Sequence, residues 1–166
     1  MTEIKIENVK FAEPKGKVGD IEKLKNVIRF ILKNLPKEST KYKTEIIKLC
    51  FIVDYEYSKK FKEDNPTTVK YVRYNYGPYS DYFIDAFGQL VQDGIIAEVG
   101  LPFGVGYIIL SNDEPDLDEK IKSFIKEILN RYKNCSLKQM KEHIYNLPEF
   151  NATEFGHEIL IVNGDK

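Results

Sequence analysis

Apolar residues recur at intervals of three and four positions in five segments of the chain, a spacing that predicts five amphipathic helices. The first helix follows Asp20, a good capping residue, and ends before Pro36. The second begins at Ser39 or Thr40 and runs to about Phe61. Because its apolar residues cover most of its faces, we expect it at the centre of the core. The remaining helices are predicted at 81–93, at 117–132 and from Ser136 to about Asn146.

The strand signals lie between these helices. β-branched and aromatic residues dominate 67–76, which predicts a strand, and Gly77-Pro78 predicts a turn after it. Two short apolar runs, 95–99 and 107–110, flank a glycine-rich loop and predict a β-hairpin. The order helix, helix, strand, helix, hairpin is typical of a winged-helix unit. We therefore predict an α+β fold, mainly helical, with a winged-helix-like core and two further C-terminal helices.

The length of 166 residues and the apolar content of 42% are sufficient for one core, and we expect a single domain over 19–166. Residues 1–18 alternate only weakly and are expected to form an N-terminal arm or a short strand. No run of about 20 apolar residues and no secretory-type N-terminal segment is present. Cys50 and Cys135 are isolated from each other, which favours a reducing compartment. We predict a cytoplasmic protein with no membrane partner.

Charge bears on whether a winged-helix unit in this chain contacts DNA. The net charge is −1, from 25 basic and 26 acidic residues. The predicted third helix carries Asp81, Asp85 and Asp93 without Lys or Arg, and the predicted hairpin carries only Glu98. These two elements normally contact DNA in such a unit, and phosphate contacts require cations. Standard winged-helix DNA binding is therefore not favoured.

A basic region lies on the predicted fourth helix and just after it. It is either a solvated helix face beside the acidic linker 112–119 or a nucleic-acid patch, and the solvated face is the favoured interpretation. The candidate nucleic-acid residues are Lys120, Lys122, Lys126, Arg131 and Lys133.

Tyrosines cluster around the predicted turn. In an extended strand, Tyr74 and Tyr76 point to the same side. Tyrosine rings with one solvated edge are strong interface anchors, because they bury a large area at a low cost in conformational entropy. The alternative is that the rings cover the core with their hydroxyls outward. The predicted partner-binding residues are Tyr74, Tyr76, Gly77, Pro78, Tyr79 and Tyr82.

Catalytic and metal-binding patterns are weak. Asp54 interrupts the most apolar predicted helix, and a buried carboxylate needs a polar partner. We predict a structural role for it, by capping the turn at 76–78 or by pairing with Arg73. His143 and His157 lack the carboxylate or thiol neighbours of a metal site, and the loop 100–106 lacks the Gly-Lys-Ser/Thr ending of a phosphate loop. We predict no enzymatic activity, no cofactor and no metal.

Three segments carry a combination of motifs that points to a family. They are IIKLCFIVD at 46–54, YNYGPYS at 74–80 and LVQDGII at 90–96, with a weaker echo in SLKQM at 136–140 and LPEF at 147–150. Together they resemble the Panacea domain of SocA-like antitoxins and phage-associated proteins, in its helix written "KLLYFAD", its "YGPvS" turn and its "L..dGlI" segment. YwgA-like proteins share much of this pattern and are the second resemblance.

The resemblance covers about 40–150. It implies a non-catalytic module that binds a protein partner and neutralises a toxin directly or delivers it to a protease. On the charge argument above, a nucleic-acid partner is not favoured but is left open, as is a homodimer. The alternatives are a winged-helix DNA-binding transcriptional regulator and an accessory protein of a phage or mobile element with an unknown target.

Overall fold

The computed structural model describes residues 15–36 and 41–161, and these residues form an α+β fold, as predicted. The helices in these ranges are α1 Ile21–Asn34, α2 Lys43–Phe61, α3 Tyr82–Gln92, α4 Glu119–Tyr132, α5 Leu137–Tyr145 and α6 Pro148–Asn151. The strands are β1 Lys17–Val18, β2 Lys41–Tyr42, β3 Val69–Lys70, β4 Val72–Tyr74, β5 Gly77–Tyr79, β6 Ile96–Leu101 and β7 Gly104–Ile109.

The five helices predicted from apolar spacing are present, because that spacing is a local property of the chain. The Asp20 side chain accepts a hydrogen bond from the backbone N–H of Glu22 at 2.9 Å and starts α1 as predicted. Helix α2 starts at Lys43, and the predicted caps Ser39 and Thr40 lie outside the described residues. The short helix α6 was not predicted, since its single turn has no apolar period.

Helix α2 lies at the centre of the core, which confirms the prediction from its apolar faces. Its residues Ile46, Cys50 and Val53 have no exposed surface. The helix packs against α1, α4 and α5 and contacts the strands β2, β5 and β7. A single helix therefore supports most of the other elements, and side chains on its different faces reach different parts of the surface.

The predicted strand over 67–76 is divided in the structure. It contains β3 and β4, and β4 folds back onto β5 through a two-residue turn at Asn75-Tyr76. The register pairs Val72 with Tyr79 and Tyr74 with Gly77. We call residues 72–79 the tyrosine hairpin. The backbone of Gly77 has a φ of +114°, which glycine adopts without steric cost, so the expected Gly77-Pro78 turn is instead the start of β5.

Part of the predicted N-terminal arm is a strand. Lys17 pairs with Lys70 and Val18 with Val69, so β1 runs antiparallel to β3. Residues 1–14 lie outside the described residues.

The predicted hairpin is longer than expected and its loop is shorter. Strands β6 and β7 pair from Ile96–Ile109 up to Leu101–Gly104, so most of the predicted glycine-rich loop 100–106 is strand. We call residues 96–109 the long hairpin. Strand β2 pairs with β7 on its other side, which gives the sheet order β2-β7-β6. This close approach requires Gly106, because a Cβ atom there would overlap the carbonyl oxygen of Lys41.

The search for membrane-spanning helices within 15–36 and 41–161 found none that combines sufficient length with sufficient apolar character.

Candidate protein-binding site

The tyrosine hairpin lies over the N-terminal half of α2 and leaves a cavity between them. The cavity has a volume of about 280 Å³. Five of the six predicted partner-binding residues line it, and the exception is Tyr82, which is half-buried at the start of α3. The lining residues are Lys43, Thr44, Ile47 and Lys48 from α2, and Tyr74, Tyr76, Gly77, Pro78 and Tyr79 from the hairpin.

A buried lysine connects the two sides of the cavity. Lys48 is only 4% exposed, and its Nζ donates a hydrogen bond to the carbonyl oxygen of Tyr76. Burial, with a smaller contribution from the nearby charge of Lys141, lowers the pKa of Lys48 to about 8. None of the ion pairs among the described residues includes Lys48. The ammonium therefore holds the hairpin tip without a counter-ion of its own.

Three aromatic rings form a ladder beside this cavity. The ring of Tyr74 stacks on that of Tyr79, with centroids 5.6 Å apart, and on that of Phe155, with centroids 5.3 Å apart. Lys15 Nζ lies 5.0 Å from the centroid of the Tyr74 ring. Phe155 is 60% exposed, so the ladder ends in solvent. The sequence gives only a faint signal for Phe155, an isolated aromatic residue in the polar segment 151–158.

Tyr76 occupies the tip of the hairpin. It is 73% exposed. The prediction that Tyr74 and Tyr76 point to one side of a continuous strand is wrong, because β4 ends at Tyr74 and Tyr76 lies in the turn. The alternative that the rings cover the core holds for Tyr71, which is buried, whereas Tyr74, Tyr79 and Tyr82 are half-buried. The tyrosines are thus divided between core and surface.

Arg73 holds the C-terminal segment against the tyrosine hairpin. Its Nη1 donates hydrogen bonds to the carbonyl oxygens of Phe150 at 3.1 Å and Thr153 at 3.0 Å. Its guanidinium carbon lies 4.4 Å from the centroid of the Phe150 ring. The backbone of Arg73 also accepts a hydrogen bond from the N–H of Gly156. These contacts place Phe155 beside Tyr74.

Asp54 is buried and hydrogen-bonded within the core, but the predicted hydrogen-bond partners are wrong. Instead of Arg73 or the turn at 76–78, its carboxylate accepts hydrogen bonds from the N–H and hydroxyl of Thr67 and from the Tyr71 hydroxyl, the last at 2.6 Å. After α2 the chain folds back so that Thr67 lies against Asp54 on the helix, whereas the side chain of Arg73 binds the carbonyl groups of Phe150 and Thr153. Complete burial raises the pKa of Asp54 to about 7, against the opposing effect of these hydrogen bonds.

The candidate nucleic-acid patch is largely neutralised by carboxylates. Lys120 pairs with Glu63 at 2.9 Å, and Lys122 pairs with Glu114 at 3.1 Å. Arg131 contacts both Glu56 and Glu127. The ammonium of Lys126 lies 5.9 Å from the ring centroid of Phe30, and Lys133 is exposed. The favoured interpretation, a solvated helix face, agrees with these pairs better than a phosphate-binding track does.

The tip of the long hairpin has a different construction. Phe103 is 93% exposed, and its N–H donates a hydrogen bond to the Tyr42 hydroxyl at 3.3 Å. Lower in the hairpin, the ring of Tyr107 stacks on that of Phe87 with centroids 4.4 Å apart. No lysine or arginine occurs in 96–109. The exposed ring of this hairpin, Phe103, thus differs from Tyr74, which is stacked between two other rings and lies beside a lysine.

The structure also bears on the cysteine at position 50 and on metal ligands. Cys50 is completely buried, and burial raises the pKa of its thiol, as suits a core residue. Within the described part of the chain, no group of three or more His, Cys, Asp or Glu side chains is arranged to hold a metal ion.

Comparisons of the chain with protein-family models, with curated proteins and with solved structures give no match. The resemblance to the Panacea domain therefore stays a prediction.

Proposed function

We propose that this chain is a non-catalytic protein-binding module of Panacea-like type, which acts as an antitoxin in the cytoplasm. It neutralises a toxin by covering the toxin's working surface, and delivery of the bound toxin to a protease is a variant of the same role. The observation that carries the proposal is the exposed aromatic surface formed by Tyr76, Phe155 and the half-buried Tyr74 beside the cavity. We call these three residues and Tyr79 the aromatic surface.

The composition of this surface favours a polypeptide partner. Aromatic side chains are enriched among the residues that contribute most to protein interfaces, where truncation of one commonly costs about 2 kcal/mol or more. Tyr74 is already held by stacking on Tyr79 and Phe155, so its ring loses little conformational freedom when a partner covers it. The loss of side-chain conformational entropy on binding falls mainly on Tyr76, whose ring is exposed at the hairpin tip.

The arrangement of elements supports the alternative of a DNA-binding regulator. The order α1, β2, α2, β3–β5, α3, β6, β7 and the sheet order β2-β7-β6 are similar to those expected of a winged-helix unit, in which α3 would take the place of the recognition helix. Electrostatics opposes the alternative. Helix α3 has no lysine or arginine and exposes Ile84, Asp85 and Val91, so it offers phosphates no cation. We therefore place the antitoxin-like function first.

The proposal is tested by capture from extracts of the cells that encode the chain. The tagged native chain is compared with Tyr76→Arg and with Phe103→Arg, which places the same charge on the tip of the long hairpin. We expect one small protein to be captured stoichiometrically by the native chain and by Phe103→Arg, and to be lost with Tyr76→Arg. Expression of that protein alone is then expected to arrest growth, and co-expression of the native chain to restore it.

Equal capture by all three chains would remove the aromatic surface from the proposal. Binding of the native chain to duplex DNA at about 0.15 M salt, measured by fluorescence anisotropy, would instead favour the regulator, since phosphate contacts make such binding steeply dependent on salt.

A further inference from the structure

The cavity between α2 and the tyrosine hairpin combines apolar walls with one buried cation. Ile47, Pro78 and the tyrosine rings supply most of the wall. Lys48 supplies the cation, and its single hydrogen bond to Tyr76 leaves N–H donors of the ammonium without a partner among the described residues. Lys48 Nζ lies 3.3 Å from the position that a Cβ on Gly77 would occupy, so the ammonium lies directly beneath the hairpin backbone.

An uncompensated buried ammonium is costly in free energy, and the usual remedy is a carboxylate at hydrogen-bond distance. The charges around the cavity favour an anion further. Lys43 lies on its rim, and Lys141 is close enough to affect the titration of Lys48. No acidic residue is among the residues that line it. The site is therefore complementary to a negative group that carries apolar atoms.

We propose that the cavity receives the C-terminal residue of the partner polypeptide, with its α-carboxylate paired to Lys48 and an apolar or aromatic side chain against Ile47 and Pro78. This inference rests on the proposed function and names the part of the partner that the site takes. A C-terminal residue supplies both groups from one Cα atom, and a cavity of about 280 Å³ is large enough to receive it. An internal Asp or Glu uses its side chain for the charge, so a second residue would have to supply the apolar contact.

The experiment uses three small probes on the full chain, followed by amide chemical shifts in NMR titrations. The probes are N-acetyl-phenylalanine, its uncharged amide, and the α-amide of N-acetyl-glutamic acid, which carries its charge on the side chain. We expect N-acetyl-phenylalanine to shift the amides of Ile47, Lys48 and Gly77. We expect the affinities of the other two probes to be at least about tenfold lower, because each probe lacks one of the two contacts.

The matched variant is Lys48→Met, which keeps the length and apolar volume of the side chain and removes its charge. In this variant the preference for N-acetyl-phenylalanine over its amide should fall to less than about twofold, the part that Lys43 and Lys141 supply, and the dispersion of the spectrum shows whether the variant is folded. Lys126→Met, an exposed lysine on α4, is the control and should bind the probes as the native chain does.

Three results would overturn the inference: equal binding of acid and amide to the native chain, equal binding of the glutamic acid probe, or no shift with any probe. None of them affects the capture experiment, in which Tyr76→Arg is compared with Phe103→Arg. If Tyr76→Arg loses the captured partner but no probe binds, the aromatic surface remains the proposed binding site. Only the inference that the cavity receives a C-terminal residue is then rejected.

Discussion

The two hairpins of this protein both raise an aromatic ring into solvent, yet they are held in place by different forces. The long hairpin pairs six residues in each strand and gains β2 as a third strand. The tyrosine hairpin pairs only three residues in each strand, and on its other side it has the bridge between Val72 and Glu158 and the backbone hydrogen bonds of Arg73 to His157 and Gly156. A two-stranded hairpin of that length is marginal on its own in water.

Side chains therefore supplement a short backbone ladder in the tyrosine hairpin. Lys48 holds its tip from below, and Arg73 holds the C-terminal segment against its edge. Asp54 fixes Thr67 and Tyr71, which lead into it. The long hairpin has no comparable buried charge. When polar side chains fix a hairpin in place, its aromatic rings need not pack into the core and can stay exposed at the surface.

Asp54→Asn should change the pH dependence of stability most. The pKa of Asp54 is raised to about 7 in the folded chain from an ordinary value near 4, so the folded state holds its proton where the unfolded state has lost it. The native free energy of unfolding should fall relative to that of the variant by on the order of 3–4 kcal/mol between about pH 4 and 7. Urea denaturation at several pH values measures this, and parallel curves for the two chains would contradict it.

Arg73→Ala should destabilise the fold by about 2–3 kcal/mol, since it removes two hydrogen bonds from a charged donor and the contact with the Phe150 ring. Glu98→Ala in the long hairpin is the matched control. It removes one weak contact with Tyr107 on an exposed strand and should cost less than about 0.5 kcal/mol. Urea denaturation of both variants checks the difference. Similar losses would show that the two hairpins are held alike.

Lys48→Met should remove one contribution to stability that grows with pH in the alkaline range. The pKa of Lys48 is lowered to about 8 from 10.5, so the unfolded state binds the proton more tightly between these values. The native chain should therefore gain up to about 3 kcal/mol of unfolding free energy between pH 8 and 10.5, and the variant should not gain it. Thermal denaturation across this range measures the gain. A native curve that declines in parallel with the variant would refute the assignment.

Tyr76→Arg and Phe103→Arg should leave the free energy of unfolding within about 0.5 kcal/mol of the native value, because both rings are exposed at hairpin tips. Circular dichroism melts establish this before any binding experiment. A large loss for Tyr76→Arg would mean that its ring supports the hairpin, and loss of partner capture by that variant would then have a structural cause.

The sequence predicts the helices and part of the site, for a physical reason that is the same in both cases. Helical periodicity and the cluster of Tyr74, Tyr76 and Tyr79 are local, so neighbouring residues carry the whole signal. Strand β2 is only two residues long and depends on Gly106, which is distant in sequence. No local pattern could have revealed it.

The remaining parts of the site also come from distant segments. Lys48 sits in the most apolar helix, where its position in the sequence gives no sign of the hairpin that its ammonium contacts. Phe155 lies beside Tyr74 because the side chain of Arg73 binds the carbonyl groups of Phe150 and Thr153 and its backbone binds Gly156 and His157. Asp54 is recognisable as a buried carboxylate in need of partners, but the identity of those partners depends on the path of the chain after α2.

The central claim is that the tyrosine hairpin, and not the long hairpin, contacts a protein partner. Incorporation of a photo-crosslinking phenylalanine analogue at position 76 or at position 103, in the cells that encode the chain, tests it most directly. We predict that irradiation yields one discrete protein adduct from position 76 and none from position 103. Adducts from position 103 alone, or from neither position while DNA co-purifies with the chain, would contradict the claim.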